Sequence, residues 1–130
     1  MSLRALALVS GVYDVLIGLP MLLAPALVAR IFGAPAPVPA VNAQINGVFA
    51  LALALGYFWA ARAIDARRGY LWAAGVFAKG LGALVFVVDH LANGSPAAFL
   101  LFAATDGTLA LATLALLVRG PGDRAAASAR

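Results

Sequence analysis

Four long apolar stretches constrain this chain more than any other feature. They run over about residues 3–23, 43–61, 70–91 and 97–118. A helix crosses the roughly 30 Å hydrocarbon layer in about 20 residues, so each stretch is long enough to span. In lipid every backbone N–H and C=O must be paired, which leaves only helices or a closed barrel. Alanine, leucine and glycine fill the stretches, without the alternating polarity of barrel strands. The expected architecture is therefore an all-α integral membrane four-helix bundle in residues 1–119, followed by a disordered cytoplasmic tail at 120–130. Composition agrees: the chain is 65% hydrophobic and 11% charged, where a soluble domain is about half apolar and a quarter charged.

The connections suit this reading. The first, PALVARIFGAPAPVPA, has a proline-rich half that cannot stay helical, while its first half (residues 26–32) is expected to lie in the interface. RAIDARRG is short and polar, and ANGSP reads as a tight turn. Pro20 and Pro25 are expected to kink or end the first helix. The apolar run after Arg4 is longer than a signal-peptide core and holds Asp14, so it reads as a retained helix.

Basic residues set the expected orientation. Arg4, Arg62, Arg67, Arg68, Arg119, Arg124 and Arg130 fall on one side, and Arg30 on the other. The positive-inside rule puts the first group in the cytoplasm, so both termini are expected inside, in a bacterial inner membrane. Tyr57, Trp59, Tyr70 and Trp72 flank the cytoplasmic link as an aromatic belt would. The net charge of +4 then serves topology and lipid headgroups. No basic helix face or aromatic–basic motif points to nucleic acid.

Several chemistries are excluded. The chain has no cysteine and one histidine, which removes thiol chemistry, iron–sulfur ligation and His- or Cys-based zinc sites. No metal or cofactor is expected. Walker, HExxH, GxSxG and dinucleotide motifs are missing, so this chain alone does not drive a nucleotide-powered pump.

Charges inside the spans carry the functional signal. Asp14, Lys79 and Asp106 come from three different spans, each roughly 14–17 Å from its helix end and so near mid-membrane. A charge there costs about 2.5–3.5 kcal/mol on insertion scales, and facing all three inward to pair is the cheapest arrangement. Two acids against one lysine leave a negative charge, to be balanced by a proton, a cation or a ligand. A structural pair with a protonated acid and a functional site both satisfy that count. Lys79 is expected to oppose a cationic ligand.

A second polar group lies nearer the far side: Asn42, Gln44, Asn46, Asp89 and His90. His90 is three helical turns from Lys79, so Lys79, Ala83, Phe86 and His90 define one stripe leading inward. Asn42 reads as a helix cap. Tyr13, Ser10, Thr105, Thr108 and Thr113 add hydroxyls, which in membrane helices mostly bond back to backbone or to a neighbouring helix. Gly11, Gly18, Gly47, Gly56, Gly75, Gly80 and Gly82 read as sites of close helix packing.

The stretches GVYDVLIGLPMLLAP, QINGVFALALALGYFWAAR, AKGLGALVFVVDH and DGTLALATLALL, with the proline-rich loop, give a layout over about residues 3–118. It resembles small bacterial four-helix membrane proteins of the broad DoxX-like type. That resemblance implies an accessory role, in some members as a partner of oxidoreductases. It transfers no active-site residue.

Three functional readings follow. The leading one is non-catalytic: an accessory membrane subunit, or a binder of a lipophilic small molecule through Asp14, Tyr13, Asn46, Lys79, Phe86, His90 and Asp106. A homo-oligomer or a partner membrane subunit would add helix–helix contacts. The second is an isomerase, hydrolase or cyclase with Asp14 and Asp106 as acid and base, tuned by Lys79. The third is a proton-coupled dimeric transporter.

Overall fold

The computed structural model describes residues 1–119; the expected tail at 120–130 lies outside the described residues. All regular structure among them is helical: α1 (Leu3–Leu23), α2 (Pro25–Ile31), α3 (Val41–Ala61), α4 (Arg68–Asn93) and α5 (Ala97–Val118). Helices α1, α3, α4 and α5 are each long and apolar enough to cross a membrane, the make-up of a multi-pass membrane protein.

Local chemistry sets the helix ends. Ser2 Oγ accepts the Ala5 N–H at 3.1 Å and starts α1. Pro20 sits inside α1 without ending it; the break comes at Ala24, and Pro25 takes the first position of α2, where its missing N–H costs nothing. Helix α3 starts at Val41, with Ala40 at the cap position and no side-chain cap bond. Asn42 therefore lies inside the first turn and does not cap it, which corrects the expectation. Gly94, at φ 68°, ends α4 in the left-handed conformation that glycine adopts without strain.

The arginines of the RAIDARRG link bond back onto the helices. Arg67 Nη1 donates to the Trp59 carbonyl, and its guanidinium lies 4.0 Å from the Trp59 ring centroid. Arg68 Nη2 donates to the Leu117 carbonyl at 2.6 Å. Both cations thus bond carbonyls in the last turns of helices, where the helix dipole favours positive charge, although the Trp59 carbonyl also accepts the Arg62 N–H at 3.3 Å.

The long helices pack as two pairs, α1 with α3 and α4 with α5. The pairs meet at the arginine-rich end, around Ala7, Tyr57, Ala60, Ala61, Leu71, Ala74 and Leu117. Alanines let the backbones come close there. Within the first pair, a Cβ on Gly47 would lie 2.7 Å from both Gly18 O and Leu22 N, so only glycine permits this approach. Within the second, Thr113 covers Gly75.

Tyr70 OH reaches from α4 to α3 and donates to the Leu53 carbonyl at 2.6 Å. Tyr70→Phe is expected to cost about 1 kcal/mol, read as a lower unfolding midpoint in mixed micelles. Toward the opposite end the space between the pairs is lined by the proline-rich link and by phenylalanines. A cleft opens there between the pairs.

Candidate functional site

The cleft encloses about 830 Å³, well within the range of small-molecule sites. Its walls come from every helix: Ile17 and Met21 of α1, Val28 of α2, Asn46 and Phe49 of α3, Val85 of α4 and Phe102 of α5 among others. Phe49, Phe77 and Val85 are 63%, 68% and 57% exposed. Their exposure leaves the α3 and α4 walls of the cleft open to the surroundings of the bundle.

The floor is formed by the three interior charges. Lys79 Nζ donates to Asp14 Oδ1 at 2.7 Å and to Asp106 Oδ1 at 3.0 Å. Exposure of the three side chains is graded: 5% for Lys79, 6% for Asp14 and 17% for Asp106. Asp106 is thus the member of the trio that meets the cleft most openly. Beside it, a Cβ added to Gly82 would stand 3.9 Å from Asp106 Oδ2, so this glycine keeps space in front of the acid. That corrects its reading as a close-packing residue, and Gly80, whose nearest neighbour would be 3.8 Å away, is no tighter.

Lys79 follows an unusual stretch of backbone. Leu71–Ala78 is wound as a π-helix, and the Lys79 N–H reaches back five residues to the Ala74 carbonyl. π-Helical turns are rare and often accompany functional sites. The lysine ammonium also lies 4.7 Å from the Tyr13 ring centroid, within cation–π range. Tyr13 OH shares a 2.7 Å hydrogen bond with Thr105 Oγ1, which ties α1 to α5 beside the trio.

Around Asp14 the interior stays polar beyond what the trio requires. Asp14 Oδ2 is buried without a hydrogen-bond partner among the described residues, and the buried hydroxyls of Ser10 and Tyr57 pair beside it. A buried acceptor left unpaired costs about 1–3 kcal/mol.

The residues singled out in the sequence divide accordingly. Tyr13, Asp14, Asn46, Lys79, Phe86 and Asp106 all line the cleft. His90 does not: its Nδ1–H donates to the Ser95 carbonyl at 2.6 Å and holds the turn between α4 and α5. The inward stripe therefore stops at Phe86. Asp89 accepts from Asn93 Nδ2 at 2.6 Å, and Gln44 Nε2 donates to Leu22 O at 3.3 Å. Thr113 Oγ1 donates to Leu109 O at 2.7 Å, back to its own helix.

Sequence reasoning missed an aromatic cluster. Phe86, Phe99 and Phe102 of the cleft wall gather with Phe32, with centroid separations from 4.7 Å (Phe32–Phe102) to 6.3 Å (Phe99–Phe102). The i, i+3 spacing of Phe99 and Phe102 was the available signal. Phe32 joins them through the fold alone.

Comparison of the chain with protein-family models, with curated proteins and with solved structures finds no match.

Proposed function

We propose that this protein binds a lipophilic small molecule in the cleft, with the molecule's polar group at the Asp14–Lys79–Asp106 floor. The observation that carries this reading is the juxtaposition itself: an apolar, aromatic-lined cleft ending on buried charges. Ligand sites are typically concave and mostly apolar, with a few convergent polar groups. The open α3 and α4 walls let a molecule dissolved in the bilayer enter without crossing water. With the arginine-rich end in the cytoplasm, as the positive-inside rule asks, the cleft lies toward the opposite face of a bacterial inner membrane. A role as accessory subunit, of the kind the DoxX-like resemblance implies, fits a binder that hands its ligand to a partner.

Lys79 Nζ bonds one oxygen of each acid, so the three side chains form one joined cluster and not a separate acid and base. Binding is therefore favoured over acid–base catalysis. The test is a lipophilic diazirine probe, photolysed in membranes and mapped by peptide mass spectrometry. Labelling is expected at Met21, Asn46 and Phe102, with loss in a Gly82→Trp variant whose indole fills the space before Asp106. Labelling confined to outward residues such as Leu16 and Leu111, and unchanged by Gly82→Trp, would contradict the reading.

A further inference from the structure

Resting on that reading, the charge balance of the floor defines which lipophilic molecule fits. Among the residues lining the cleft, the only ionic side chains are Asp14, Lys79 and Asp106. Two carboxylates against one ammonium leave one net negative charge.

The lysine was expected to oppose a cation, but its placement removes that objection. Its side chain is 5% exposed, and its ammonium is bonded to both acids and stands beside the Tyr13 ring. The shorter of its bonds goes to Asp14, which is the more buried acid. The remaining charge is therefore presented to the cleft by Asp106, whose Oδ2 faces the space kept by Gly82. An anion entering here would meet a carboxylate first. Beside a neutral molecule one acid must take up a proton to balance the floor, whereas a cation balances it directly where the dielectric is low.

The walls agree with the floor. Phe86, Phe99 and Phe102 line the route to Asp106 together with the Tyr13 ring. Aromatic faces attract cations, and more strongly where water is excluded. We propose that the ligand is a lipophilic organic monocation, an amine-headed molecule whose ammonium pairs with Asp106 while its apolar body fills the aromatic cleft.

The test compares decylammonium, decanol and decanoate, three probes of one chain length, binding to the full chain in nanodiscs of neutral lipid. Titration calorimetry on wild type is expected to give about tenfold or tighter binding for decylammonium over decanol, with decanoate weakest. Asp106→Asn should abolish the ammonium preference, and Asp106→Glu, which keeps the charge, should retain it. The ratio within each protein is the readout, so differing lipid partitioning of the probes cancels between variants. Should Asp106→Asn fail to fold, the order of the probes on wild type and on Asp106→Glu still decides. Decanol or decanoate binding wild type as tightly as decylammonium, with the binding lost in Gly82→Trp, would overturn the monocation and leave the lipophile-binding cleft standing. No binding of any probe, or binding indifferent to Gly82→Trp, would overturn both.

Discussion

Lys79→Met is expected to destabilise the protein by about 3–5 kcal/mol, the usual cost of removing one partner from a buried ion pair. Lys79 Nζ bonds Asp14 at 2.7 Å and Asp106 at 3.0 Å, so the substitution strands two acids in the interior. Either both take up a proton or the helices part to let water reach them. Removing the charge from both sides should be milder: Lys79→Met with Asp14→Asn leaves one unpaired acid, and adding Asp106→Asn leaves none. The expected order of stability in SDS unfolding is wild type, then the triple variant, then the double, then Lys79→Met alone. A single variant that unfolds like wild type would mean that the trio is not an ionic unit.

The second large effect is expected at Gly47. Its missing Cβ is what lets α3 lie against the backbone of α1: a methyl there would stand 2.7 Å from Gly18 O and from Leu22 N. These are backbone atoms of a helix and cannot swing aside, so α1 and α3 must separate along their contact. Overpacking of this kind costs about 1–3 kcal/mol for small groups, and Gly47→Val is expected at or above the upper end. Gly69 has no atom within 4 Å of its Cβ position, and Gly69→Ala is expected within about 0.5 kcal/mol of wild type. Equal midpoints for the two variants would show that the α1–α3 contact does not depend on that close approach.

Much of this was legible in the sequence, for a physical reason. Membrane spans are set by length and apolarity, which are local properties, and helix depth follows from counting residues. The mid-span positions of Asp14, Lys79 and Asp106 therefore implied a meeting inside the bundle, and the structure joins all three through Lys79 Nζ. The cleft was not legible, because it depends on which helices pair and where the pairs part. That is decided by contacts distant in sequence, such as Gly18 with Gly47 and Gly75 with Thr113. His90 shows the limit of counting turns. Its ring lies on the expected helix, yet the Ser95 carbonyl, brought round by the Gly94 turn, takes its hydrogen bond. Arg67 and Arg68 were read as topology signals, and their bonds to the Trp59 and Leu117 carbonyls needed the folded link.

A lipophilic molecule held in the cleft would survive gentle extraction of the protein from the membrane. Native mass spectrometry of the gently solubilised protein, with released small molecules identified, tests it most directly. A defined adduct is expected at one molecule per chain, small enough for the cleft and lost in Gly82→Trp. A chain that flies bare under the same conditions, or carries only a ladder of bulk phospholipids unaffected by Gly82→Trp, would contradict it.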